Sequence, residues 1–161
     1  MVSADALLFS YRWGAETLQK LTADIADDKF AEQPIPGINH PAWLVGHVSL
    51  YNDVIAALLR GQAFDNPWDA PCGKNSQPLA DRAAYGSKTA ILDQFQSGYE
   101  DAAAVMAEAH AAAWEAPLAH PTWGKQFATV APAVVYLATT HLGLHVGQLS
   151  GWRRAAGMPR V

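Results

Sequence analysis

Glycine and proline are unevenly spread in this chain, with clusters at residues 34–37, 61–78 and 117–132 that cut it into four long pieces. This partition constrains the fold more than any other feature, because both residues disfavour helix interiors and mark turns and loops. None of the pieces shows sustained alternation of apolar and polar residues, so strands are not expected. Alanine, the best helix former, is the commonest residue. Four long amphipathic helices joined by long connections make an all-α four-helix bundle the simplest architecture.

The pieces carry their own boundaries. The first runs from about Ala4 to Thr22, with Leu7, Tyr11, Leu18 and Leu21 at helical spacing, and 24–33 adds a short turn before Pro34. The second is expected to start at an Asn39 cap with Pro41 in its first turn. Its stripe is Trp43, Leu44, His47, Tyr51, Val54 and Leu58, and Gly61 ends it. Residues 61–86 form a long connection, read as a crossover between helices that are not antiparallel neighbours. Ser87 caps the third helix, whose buried face is Leu92, Phe95, Tyr99, Ala102, Met106 and Ala109, and which continues until just before Pro117. The fourth begins around Thr129 to Pro132 and stops at Gly157 and Pro159, with Arg153 and Arg154 suiting the dipole of its last turn.

A length of 161 residues fits one domain, 1–161, and half of the residues are hydrophobic, enough for a core. Only 16% are charged and the net charge is −4, with no Lys/Arg cluster. Neither nucleic acid nor an anionic membrane surface is therefore an expected partner. The single cysteine, Cys72, excludes an intramolecular disulfide framework and a cysteine-based zinc site, and it is read as a bystander. No run approaches the roughly 18 uninterrupted apolar residues of a membrane helix, and the start Met1-Val2-Ser3-Ala4-Asp5 has no basic region, so a cytoplasmic protein is expected.

The chemistry lies in the histidines. His141 and His145 are four apart in Thr-His-Leu-Gly-Leu-His-Val-Gly, which sets both imidazoles on one helix face within reach of one ion. At 100° per residue they share a core-facing sector with Val134, Leu137, Leu144, Gln148 and Trp152. His47 occupies the buried stripe of the second helix. Three core-facing histidines from two helices can converge on one ion and leave coordination positions open, as catalytic sites do. His110 and His120 are possible substitutes. His40 precedes His47 by two turns on the same sector and is a pocket candidate, as are Tyr51 and Gln148. The Glu of the zinc-protease helix motif is missing, and no Gly-x-Ser-x-Gly elbow, Walker loop or dinucleotide fingerprint is present.

Two segments resemble a known family. Asn39-His40-Pro41-Ala42-Trp43-Leu44-Val45-Gly46-His47 resembles the second-helix motif of the DinB/YfiT-like proteins, and Thr140-His141-Leu142-Gly143-Leu144-His145-Val146-Gly147-Gln148-Leu149 resembles their fourth-helix motif. The resemblance implies a four-helix bundle of up-down-down-up course with a long link between the second and third helices. It implies a metal triad at His47, His141 and His145, a divalent ion such as zinc or nickel, and a homodimer. Characterised relatives are bacillithiol S-transferases and a mycothiol-dependent maleylpyruvate isomerase. The leading expectation is accordingly a metal-dependent enzyme, an S-transferase that joins a low-molecular-weight thiol cosubstrate to a small-molecule electrophile. The alternatives are a metal-dependent hydrolase and a non-catalytic metal- or ligand-binding stress-response protein. No residue is assigned as catalytic. Metal binding is expected to weaken as pH falls through about 6.5. The dimer is expected to pack through the Ala-rich stretch 102–113.

Overall fold

The computed structural model describes residues 3–161. The N-terminal reading rests in part on Met1 and Val2, which lie outside the described residues. Among the described residues five α-helices build the fold: α1 (Ala4–Ala23), α2 (Pro41–Arg60), α3 (Lys88–Glu108), α4 (Ala111–Glu115) and α5 (Val130–Ala155). There is no strand among the described residues, only an isolated bridge between Pro117 and Thr129.

Helix starts and stops follow local chemistry. The Ser3 and Ser87 hydroxyls accept the Ala6 and Ala90 N–H groups, which would otherwise go unsatisfied in the first turns of α1 and α3. α2 departs from expectation at its start. Its cap is His40, whose Nδ1 accepts the Trp43 N–H at 3.2 Å, and not Asn39. At the other end Gly61 adopts φ +66°, and the Gly61 and Gln62 N–H groups return to the Leu58 and Ala57 carbonyls. The third piece does not run on to Pro117. α3 ends at Glu108, Ala109 turns extended, and α4 sets off against α2 and α5. No glycine or proline marks this break, so tertiary packing overrides helix propensity there. The Ala-rich stretch 102–113 is thus not one continuous helix.

Side-chain pairs give the helix directions. Gln19 meets Gln96 and Tyr11 meets Tyr99, so α1 and α3 run oppositely. Asn52 lies against Gly98, and Arg60 pairs with Asp101, so α2 and α3 advance together. The 61–86 connection is the crossover that a parallel pair requires. Gly14 faces Leu142, and Arg153 binds Asp24 and the Leu21 carbonyl, so α1 and α5 also advance together. α2 and α5 are antiparallel, with Trp43 near His145 and Tyr51 near His141.

α2 is the axis of the core. Trp43, Leu44 and Val45 are all buried, because α3, α5 and the 61–86 connection surround it. By length and composition α2 and α5 are apolar enough to cross a membrane, but 78% of that stretch of α2 and 44% of that of α5 are buried in the bundle.

Within α5, Tyr136–His141 is π-helical, and the Leu142 N–H reaches back to the Leu137 carbonyl. Residues five apart stand about 140° apart on an α-helix but stack on a π turn. The extra residue rotates the buried face between the two halves of α5. Upstream it centres on Val134 and Leu137; downstream it moves toward Leu142, Leu149 and Arg153. Leu144, expected in the core-facing sector, is therefore 57% exposed.

Candidate metal centre

Antiparallel packing of α2 and α5 brings three imidazoles to one point. Nε2 of His141 lies 3.2 Å from Nε2 of His47 and 3.2 Å from Nε2 of His145. All three side chains are buried, and their donor atoms lie within 4.8 Å of one another. Nitrogens bound tetrahedrally to one ion at about 2.0–2.1 Å stand about 3.3–3.4 Å apart, close to both of these separations.

The outer partners fix which nitrogen is free. His47 Nδ1–H donates to the Cys72 carbonyl at 2.6 Å, and His145 Nδ1–H donates to Gln148 Oε1 at 3.1 Å. These oxygens can only accept, so each Nδ1 carries the proton and each Nε2 presents a lone pair to the cluster. Gln148 Oε1 is itself held by Asn39 Nδ2 at 3.2 Å. The Trp43 indole stacks on His47 at 4.5 Å between ring centres, and Trp43 Nε1–H donates to Ser76 Oγ. Burial, and then the neighbouring imidazoles, push His47 down to about 4 and His141 down to about 3, and burial also lowers His145. Burial thus disfavours protonation of all three imidazoles in the folded chain. Two or more lone pairs aimed at one point, with protonation disfavoured, describe a site for a Lewis acid.

The three rings form part of the wall of a cavity of about 270 Å³. Tyr51, a pocket candidate from sequence, lines it, with its ring 4.3 Å from that of His141. Gln148 stands behind His145 and not on the wall. His40 is corrected: it does not line the cavity. It is fully buried, with one ring nitrogen capping α2 and Nε2–H donating to the Leu79 carbonyl at 2.9 Å. His110 is exposed at the start of α4, and His120 stacks on Phe64, so neither joins the trio.

Sequence reasoning missed the second layer. The Cys72 thiol takes no part, as expected, but the backbone carbonyl of the same residue orients His47. Its backbone sits at φ +65°, and its thiol packs so closely on α2 that a Cβ at Gly46 would come within 2.8 Å of Sγ. Burial pushes that thiol up to about 11, so it remains protonated. Tyr136, Trp123, Phe127 and Lys74 also line the cavity. Tyr136 arrives by the π turn, which carries no composition signal. The others lie in irregular segments, where spacing says nothing about direction.

A search among curated proteins returns no match. The family model of the DinB superfamily matches residues 10–149, a span holding the three histidines and both outer-shell partners, Cys72 and Gln148. The chain belongs to the DinB superfamily.

Proposed function

We propose that this protein is a divalent-metal-dependent enzyme in which His47, His141 and His145 hold one ion beside the cavity. The observation that carries this reading is the convergence of three buried Nε2 atoms in a cavity wall, two of them oriented by acceptors on Nδ1. Three protein ligands and an open side are the pattern of catalytic sites. Imidazole donors suit zinc or nickel. Bound there, the ion lowers the pKa of a thiol or water and so supplies a nucleophile near neutral pH.

The chain's own residues prepare the site. The Cys72 carbonyl and Gln148 hold two imidazoles in register. Trp43 stacks on the His47 ring and, with Trp123 and Phe127, gives the cavity an aromatic wall. The protonated, tightly packed Cys72 thiol is no nucleophile, so the attacking atom comes from a cosubstrate. We assign that role to a low-molecular-weight thiol: its proton leaves, a sulfur–carbon bond forms with a small electrophile, and the leaving group departs with the electron pair. In this reading the protein works in the cytoplasm as a homodimer, with the exposed Phe9, Trp13 and Leu144 supplying apolar surface for helix packing. Light scattering tests the dimer, since a constant mass near 17 kDa rejects it.

Elemental analysis of protein purified without a metal-affinity tag tests the centre. One equivalent of zinc or nickel per chain is expected; no metal, and none taken up from added zinc, overturns it. A panel of thiols with electrophiles, run beside a hydrolase panel, then tests the reaction. Thiol-dependent turnover supports the transferase. Hydrolysis alone makes water the nucleophile, and a metal-loaded protein inactive in both is a binding module and no enzyme.

A further inference from the structure

We infer that Gly46 is a positioning residue of the metal centre: the missing side chain there lets the turn Ala70–Gly73 close onto α2, and only the closed turn keeps the His47 proton on Nδ1. The inference rests on the metal reading above for the use of the Nε2 lone pair that this leaves free.

Two residues at this contact go against local preference. Gly46 lies inside α2, where alanine is the better helix former. Cys72 lies in a turn in which the Gly73 N–H returns to the Ala70 carbonyl at 2.7 Å. Pro71, whose ring fixes φ at about −65°, takes the second position of that turn, and Cys72 at φ +65° takes the third. This is a type II turn, whose third position favours glycine. A glycine thus stands where a side chain is preferred, and a side chain stands where glycine is. Their contact explains both departures together. A Cβ at Gly46 would come within 2.8 Å of Cys72 Sγ and 3.3 Å of its Cβ. The sulfur is buried and the Cβ is fixed to the backbone, so rotating the thiol does not clear both atoms. Between α2 and the turn there is room for one side chain, and the turn supplies it.

The contact adjoins a metal ligand. Gly46 immediately precedes His47, and the Cys72 carbonyl, which the turn's own hydrogen bond does not use, accepts from His47 Nδ1–H at 2.6 Å. Beyond the turn, Ser76 Oγ accepts from Trp43 Nε1 at 2.8 Å and donates to the Gly73 carbonyl. The segment is therefore held on α2 at Trp43, Gly46 and His47, and the tie at His47 is the one that places a proton. A neutral imidazole carries its proton on one nitrogen or the other. With the carbonyl drawn back nothing holds it on Nδ1, and a proton on Nε2 removes the lone pair that faces the cluster. Widening a 2.8 Å clash to 3.4 Å, the near edge of ordinary contact, takes a shift of about 0.6 Å. That equals the slack between a 2.6 Å hydrogen bond and the roughly 3.2 Å upper end of the ordinary range.

Two measurements test this: the His47 tautomer in chelator-treated protein, by long-range nitrogen–proton correlation NMR of the imidazole rings, and zinc affinity, by competition titration. In the unaltered chain His47 and His145 should both carry the proton on Nδ1. Gly46→Ala, which strengthens the helix itself, should lose that single tautomer at His47 and keep it at His145, where Gln148 holds it. Zinc should bind 10–100-fold more weakly, the usual cost of an outer-shell change. Cys72→Val overfills the same contact from the turn and sets a β-branched residue at positive φ, so it should do the same, and it replaces Gly46→Ala if that variant does not fold. The exchange Gly46→Ala/Cys72→Gly removes the colliding atoms and should restore both tautomer and affinity. Circular dichroism shows which variants fold. A folded Gly46→Ala or Cys72→Val with His47 unchanged, a loss at His47 and His145 alike, or an exchange that restores nothing overturns the inference. The expected tautomers in a chain that takes up no zinc support it and overturn the metal reading. Zinc bound in full, with His47 on Nδ1 in every variant, does the reverse.

Discussion

Two polar clusters are buried beside α2, one on each side, and they differ in where their hydrogen bonds end. Toward α1 and α3, the Tyr11 O–H donates to Asn52 Oδ1 at 2.6 Å, and Asn52 Nδ2 donates onward to the Phe95 carbonyl at 3.4 Å. That chain closes on backbone, and burial first of all pushes the Tyr11 hydroxyl far above its ordinary titration range. Toward α5, His47 and His145 send their N–H groups outward, to a carbonyl and an amide oxygen, and turn their lone pairs inward beside a cavity. Burial of polar side chains alone does not mark a site. The direction of the unused lone pairs separates a structural network from one built to receive a cation.

The largest effect should come from the ligands. His141→Ala/His145→Ala is expected to abolish stoichiometric metal binding, a loss well beyond the 10–100-fold that outer-shell changes cost. Full occupancy in that double variant, by elemental analysis, would erase the distinction between the clusters. The next effect is on stability against pH in metal-stripped protein. His47 titrates near 4 and His141 near 3 when folded, against about 6.5 when unfolded. Between about pH 6.5 and 4 the unfolded chain therefore binds protons that the folded one refuses, and stability falls as pH falls. Above 6.5 these groups contribute no slope. Thermal melts from pH 7.5 to 4.5 should show the decline, and replacing all three histidines by Ala should make it shallower, with buried His40, also lowered, keeping part of the slope. Gln148→Ala comes next: freed from its acceptor, His145 loses its fixed tautomer, and competition titration should show metal affinity 10–100-fold weaker. The smallest effect is expected from Tyr11→Phe. It leaves the Asn52 oxygen short of a donor, at a cost of about 1–3 kcal/mol in urea unfolding, with metal affinity unchanged.

Much of this was legible in the sequence because periodicity reports which face a residue takes. The stripe through Trp43, His47 and Tyr51 and the four-residue step from His141 to His145 required only helical geometry. The Gly61 and Gly157 stops and the Ser87 cap are equally local. What stayed hidden depends on contacts between distant segments. His40 looked like a pocket residue because it shares a sector with His47, yet at a helix start the ring folds back to cap the chain. Cys72 was dismissed for its distance in sequence and its thiol, while its contribution is a carbonyl, which every residue type possesses. The break after Glu108 lies in good helix-forming sequence and exists because α4 packs elsewhere.

Tyr136 and His141 share a cavity wall, with ring centres 6.0 Å apart, although five positions separate them. The helix between them holds one residue more than an α-helical turn needs. Elsewhere in α5, losing a single codon would rotate everything beyond it by about 100° and pull the metal ligands off the buried face. Within 137–140 the same loss turns a five-residue step into a four-residue one, and both ends of the helix stay in phase. Deleting the exposed Thr140 should therefore be tolerated where deleting Gly143, also exposed, is not. Two chains with the same site can then differ in length at this point, and the gap between them would fall in unbroken helix, with no loop to mark it.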